Sequence, residues 1–191
     1  MRTISIILPF FKYKHYFKEC LQNLAQSTFK DFELIVVLDH PTEDIDDLLE
    51  EYNSIFDMRV YTLPEGVTGV AACRNVGIQQ AKGAYLYFLD SDDYIELNAM
   101  EICFKECEIN KLDFITFDSN VLYEDGYSSS DLREIDRSDI LDSKICSGKI
   151  LFNKMMETHG MYYESCLNFF YKDFLNKFKI KYRDNLIYED V

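Results

Sequence analysis

The stretch Tyr85-Leu86-Tyr87-Phe88-Leu89-Asp90-Ser91-Asp92-Asp93 decides how the rest of the chain is read. An apolar run passes without a break into three carboxylates within four positions. The run is short and follows Gly83 and a helical pattern, so its length suits a buried strand and not a helix. Carboxylates at the carboxyl end of such a strand fall in the crevice where open α/β sheets bind ligands. Like charges this close stay ionised together only where a cation or hydrogen-bond donors compensate them. A divalent metal with oxygen ligands meets that need and points to phosphate chemistry.

Working outward, the chain alternates strand and helix patterns. Ile4 to Leu8 reads as a first buried strand stopped by Pro9, and a helix is expected over roughly Tyr13 to Ser27. Phe32 to Leu38 is a second strand with Asp39-His40-Pro41 as its exit, then come a helix marked by Ile45, Leu48, Leu49 and Tyr52 and a strand at Arg59 to Leu63. A loop with Gly66 and Gly69 leads to a helix at Val70 to Lys82 and to the acidic strand. Leu97 to Asn110 reads as helix and Asp113 to Phe117 as strand. This alternation predicts an α/β fold with a mostly parallel sheet flanked by helices on both faces. Residues 118–142 are polar and acidic without apolar period and read as a long surface excursion; Ile145 to Met156 and Asn168 to Phe178 read as helices. The basic and aromatic cluster from Phe169 to Arg183 fits either a core helix with snorkelling lysines followed by a strand or contact with an anionic membrane surface, the first being the better reading.

Composition narrows the class. A chain of 191 residues with 48% hydrophobic and 28% charged residues suffices for one domain with a sizeable core. A formal net charge of −14 argues against a nucleic-acid partner, because phosphate backbones need a basic face. An anionic substrate must instead be held by a metal, by backbone N–H groups or by a few placed arginines. The six cysteines form no C-x-x-C pair, and buried reduced thiols, as in a cytoplasmic protein, fit better than a two-thiol metal site at Cys103 and Cys107. No signal peptide is expected from the first residues, and no segment approaches the roughly 18 apolar residues of a membrane span. His15, His40 and His159 are too scattered for a metal triad, and no G-x-S-x-G, P-loop or H-E-x-x-H pattern occurs.

Five pieces of the first half come in one order: Ile4-Ser5-Ile6-Ile7-Leu8-Pro9, Ser27 through Val37, Gly69-Val70-Ala71-Ala72-Cys73-Arg74-Asn75-Val76-Gly77, Ala81-Lys82-Gly83-Ala84-Tyr85 and Phe88-Leu89-Asp90-Ser91-Asp92-Asp93. In that order they resemble the family 2 glycosyltransferases, an inverting group with the GT-A fold. Leu186-Ile187-Tyr188-Glu189-Asp190 is similar to the family's Glu-Asp motif.

The resemblance implies a sugar transferred with inversion from a nucleotide diphosphate sugar, most often a UDP-sugar. The acceptor would be a saccharide or lipid-linked saccharide, as in bacterial surface polysaccharide synthesis, at the cytoplasmic side of a membrane. Residues 1–191 would form one GT-A domain, with 1–95 the nucleotide-sugar half and 96–191 the acceptor half, truncated at its carboxyl end or continued in a longer enzyme. Asp92 would ligate Mg2+ or Mn2+, with Asp90 a second or outer-shell ligand. Asp90 and Ser91 would also face the donor, and Asp93 would aid either task or, as the better reading, cap the next helix.

Asp39 would read the nucleotide, although Leu38 stands where the family has another aspartate, and Pro9 and Phe10 would touch the base. Arg74 would pair with the diphosphate or with a strand-end aspartate, Asn75 with local backbone. Asp190 would be the catalytic base, Glu189 its orienter or substitute. Leu38 and the abrupt end also leave room for a degenerate binding or scaffolding module of the same fold. Nucleotidyl transfer is disfavoured, because Pro9-Phe10-Phe11-Lys12 is nothing like the glycine-rich G-x-G-x-R loop it needs.

Overall fold

Ile4–Phe10 forms β1, the strand from which the sheet grows on both sides, and every residue in it is buried. The computed structural model describes residues 3–122, 145–157 and 164–183. After β1 come α1 (Lys14–Ala25), β2 (Phe32–Leu38), α2 (Asp46–Asn53), β3 (Asp57–Thr62) and α3 (Val70–Gln80). Then follow β4 (Tyr85–Phe88), α4 (Ala99–Asn110), β5 (Phe114–Thr116), α5 (Gly148–Glu157), β6 (Asn168–Tyr171) and α6 (Lys172–Phe178). One six-stranded sheet has the order β3-β2-β1-β4-β6-β5. The first four strands pair parallel, and β6 runs antiparallel between β4 and β5. The α/β reading with a mostly parallel sheet therefore holds.

The pleat divides the core. Ile4, Ile6, Leu8 and Phe10 of β1 join Leu34 and Val36 of β2 under α1, α2 and α4. Ile35 and Val37 face the other way, toward Ala72 and Cys73 of α3 and Leu175 of α6. Both faces are covered, which is why β1 and β2 read as apolar runs interrupted only by Ser5 and Glu33. Helix α3 lies so close to β1 that a Cβ on Gly77 would stand 2.3 Å from Ile7 Cγ2.

At the amino end of the sheet a buried carboxylate ties several elements together. Glu33 Oε1 accepts from the Ser5 hydroxyl at 2.6 Å and the Lys82 N–H at 2.6 Å, and its other oxygen accepts from Arg59. Gly83 N–H donates to Ser5 Oγ at 2.8 Å. Burial pushes the Glu33 carboxyl up, but Ser5, the Lys82 N–H and Arg59 together leave it below its ordinary value.

Two expectations change. Strand β1 does not stop at Pro9 but runs through it to Phe10. The Leu89 N–H donates to the Ile7 carbonyl, so odd-numbered residues of β1 face β4, and the β4 ladder ends at Ile7–Phe88. Pro9 therefore lacks its N–H on a flank where no rung remains to be made. The expected helix over Asn168 to Phe178 is strand β6 followed by helix α6, so the strand precedes the helix. All six cysteines are free thiols, and no helix among the described residues is long and apolar enough to cross a membrane. His159, Glu189, Asp190 and most of 118–142 lie outside the described residues.

Candidate active site

Chain order runs β1, β2, β3 to one side of the sheet and continues with β4 on the other. The crevice beyond the carboxyl ends of β1 and β4 is thus the point of strand-order reversal, where such sheets bind ligands. The last rung between these strands is the 3.0 Å bond from Leu89 N–H to Ile7 O, and Asp90 is the next residue. A 3.1 Å bond from Asp93 N–H to Asp90 O winds the acidic segment into a turn. Asp92 is exposed on that turn, while Asp90, Ser91 and Asp93 are half-buried. From α1 the Cys20 thiol reaches the Asp90 carbonyl, with sulfur and oxygen 3.8 Å apart.

Arg74, only 2% exposed on α3, places Nη2 at 2.9 Å from Asp90 Oδ1 and 3.3 Å from Oδ2. Of the two roles expected for this arginine, the ion pair to a strand-end aspartate is present in the fold. Asp39 continues β2, donating its N–H to Phe10 O at 2.8 Å and accepting the Gly69 N–H at 2.8 Å on Oδ2. Gly69 has φ 102°, a conformation glycine adopts without a steric penalty, and it opens α3. Helix α3 is therefore anchored to the end of β2 through Asp39 and to the end of β4 through Arg74. Asp39 and the Arg74–Asp90 pair are thus linked through α3, and Ser91 and Asp92 follow Asp90 on its turn. His40, at φ 47°, fixes the adjoining loop through Nε2 and the Val67 carbonyl at 3.1 Å.

Two other expectations do not survive. Pro9 and Phe10 are buried, and the Phe10 ring packs on Phe17 with centroids 4.6 Å apart, so neither presents a face to a base. The exposed aromatics at the exit of β1 are Phe11 and Tyr13, at 46% and 47%. Glu43 fixes this exit by accepting the Tyr13 N–H at 2.6 Å and the Lys14 N–H at 3.2 Å. Asp93 caps no helix: α4 begins at Ala99 behind Asn98. Its carboxyl accepts from the Cys166 thiol and is pushed up to about 6, first by burial and then by the charges of Asp90 and Asp92.

That upward shift tests whether a cation suits the site. A buried carboxyl pushed further up by two anionic neighbours marks surplus negative charge, which a divalent ion relieves. Ligating atoms of Asp90, Asp93 and Cys166 lie within 4.8 Å of one another, and Asp92 is exposed on the same turn but is not one of that group. The oxygen donors fit Mg2+ or Mn2+; the thiol, raised by burial and by Asp90 and Asp93, stays protonated and is no ligand for a hard ion. Sequence reading missed Cys166, because only the antiparallel return of β6 brings its neighbourhood beside β4. It also missed that Asn75 bonds the backbone of Tyr182, 107 positions away.

The sequence profile described as glycosyl transferase family 2 matches residues 5–174. Bacillus subtilis (strain 168) glycosyltransferase EpsJ is 31% identical over 112 residues, which are 59% of this chain and 32% of EpsJ. Staphylococcus aureus (strain Mu50) TarS, a poly(ribitol-phosphate) beta-N-acetylglucosaminyltransferase, is 33% identical over 103 residues, 53% of this chain and 18% of TarS. The chain thus spans a third or less of the length of these relatives. The crystal structure of S. aureus TarS 1–349 with UDP-GlcNAc superposes with a TM-score of 0.74 at 22% identity, covering 98% of this chain and 51% of that one. The Pyrobaculum calidifontis mannosyltransferase PcManGT, in complex with GDP-Man and Mn2+, gives 0.66 at 12% identity, covering 100% and 50%.

Proposed function

We propose, from the premise that this chain belongs to glycosyl transferase family 2, that it transfers a sugar from a nucleotide diphosphate sugar with inversion at the anomeric carbon. The donor is a UDP-sugar and the acceptor a saccharide or lipid-linked saccharide of surface polysaccharide synthesis, met at the cytoplasmic side of a membrane. The observation that carries this reading is the pairing of buried Arg74 with Asp90 at the strand-order reversal, with Asp92 exposed next to it. UDP-GlcNAc in the TarS structure supports a uridine nucleotide, and Mn2+ in the PcManGT complex supports a divalent metal.

Arg74 holds the Asp90 carboxylate in one orientation, and Asp39 holds the Gly69 loop, so the rim of the crevice is fixed before a donor arrives. Asp92 and Asp90 would hold Mg2+ or Mn2+, which when bound neutralises charge developing on the leaving diphosphate. Phe11 and Tyr13, not Phe10, offer the exposed faces for a base. Asp190, aligned by Glu189, would take the proton of the acceptor hydroxyl opposite the leaving group, as a single displacement requires.

Calorimetry with UDP and Mn2+ tests the donor side: the wild type binds, and Asp92→Ala loses the Mn2+-dependent part. Binding unchanged in that variant removes the metal assignment. A thermal-shift screen of UDP-, GDP-, CDP- and dTDP-sugars then selects the nucleotide. For the acceptor side, Asp190→Asn should keep UDP affinity while sugar transfer falls by about a hundredfold or more. Full transfer by that variant would remove Asp190 as the base.

A further inference from the structure

Tyr182 sits against the Arg74–Asp90 pair although 107 positions separate it from the neighbouring Asn75. Its ring lies 5.3 Å from the Arg74 guanidinium, so this side chain meets Asp90 at 2.9 Å and an aromatic face as well. Four further contacts fix that ring. Asn75 Nδ2 donates to the Tyr182 carbonyl at 3.0 Å, and the Tyr182 N–H donates back to Asn75 Oδ1 at 3.0 Å. The hydroxyl donates to Ser165 Oγ at 2.7 Å, and Phe88 of β4 meets the ring edge-on at 5.4 Å. Adjacent residues of α3 therefore do complementary work: Arg74 reaches to the acidic turn, while Asn75 secures the backbone of the aromatic residue packed on Arg74.

We infer that Tyr182 is a positioning residue for the donor site, holding the Arg74 fork so that Asp90 is correctly aimed when a nucleoside diphosphate and its metal bind. The inference rests on the donor reading above and adds a residue from the far end of the chain. An arginine side chain is rich in rotamers, so contacts beyond the one ion pair help to hold its fork, and a cation over an aromatic face gains energy only while the ring stays in place.

The test is calorimetric titration of UDP in the presence of Mn2+, with melting temperatures recorded for each protein. Tyr182→Phe keeps the aromatic face and should bind within about twofold of wild type, whereas Tyr182→Leu keeps apolar bulk against Phe88 but loses the face and should bind about three- to tenfold more weakly. Asn75→Ala releases the ring without altering it and should weaken binding similarly. Equal affinity in the Leu and Phe variants overturns the inference. If the Leu variant does not fold, wild-type affinity in Asn75→Ala overturns it instead. A wild-type protein that binds no UDP with Mn2+ overturns both this inference and the donor reading; a binding wild type with insensitive variants overturns this inference alone.

Discussion

Gly77 marks where α3 crosses β1, and its missing side chain lets Arg74 and Asn75, one turn earlier, stand over the carboxyl end of the sheet. A Cβ there would meet Ile7 Cγ2 at 2.3 Å and Cγ1 at 2.8 Å, both on a fully buried residue of the central strand. Gly77→Ala should therefore cost about 1–3 kcal/mol in urea denaturation through overpacking. Because the three nearest atoms all belong to Ile7, the added cost should shrink in an Ile7→Ala background, and additive losses would place the strain elsewhere. At this scale the acidic residues and Arg74 were legible, since charged groups at the end of an apolar strand have few places to go. Phe10 was not. Reading Pro9 as a stop put Phe10 in a loop, whereas the pleat carries on through Pro9 and turns every even-numbered residue of β1, Phe10 included, toward α1.

Among the elements, the first three strands depend on a single buried carboxylate. Glu33 of β2 joins Ser5 of β1, Arg59 of β3 and the turn entering β4, at the end of the sheet away from the candidate site. Its carboxyl titrates below its ordinary value of 4.5 despite burial. A depressed folded-state pKa means this group adds stability above the unfolded-state value and loses it as pH falls through the folded value. Glu33→Gln should thus lower stability near neutral pH by about 1–3 kcal/mol, since one donor set then faces a neutral amide. The gap to wild type should narrow below about pH 4. Melting curves by circular dichroism at both pH values check this, and a gap that widens on acidification would contradict it. The knot was invisible in the sequence, because Ser5, Glu33 and Arg59 meet only through strand register. Element β6 was misread for a related reason. Phe169, Phe170, Tyr171, Phe174 and Phe178 satisfy a helical period, but β4 and β5 both need a partner edge, and pairing with them outweighs local pattern.

For the whole molecule, a net charge of −14 and an acidic turn at the crevice make a poor site for a bare diphosphate. On the proposed reading, binding of the metal and of the nucleotide would then be strongly coupled, each supplying the charge the other lacks. Linkage requires that Mn2+ tighten UDP by the same factor as UDP tightens Mn2+. The wild-type melting temperature should barely move with UDP in chelator and rise slightly with Mn2+ alone. With Mn2+ saturating and UDP at about a hundredfold over its dissociation constant in that Mn2+, UDP should add about 2.7 kcal/mol to the stabilisation by Mn2+ alone, several degrees for a chain of this size. Raising salt should tighten nucleotide binding in chelator and weaken Mn2+ binding to the acidic turn, because screening relieves repulsion in the first case and removes attraction in the second. A shift with UDP and chelator equal to that with UDP and Mn2+ would mean that Arg74 and backbone N–H groups hold the diphosphate unaided, and the carboxylates of Asp90 and Asp92 would need another purpose.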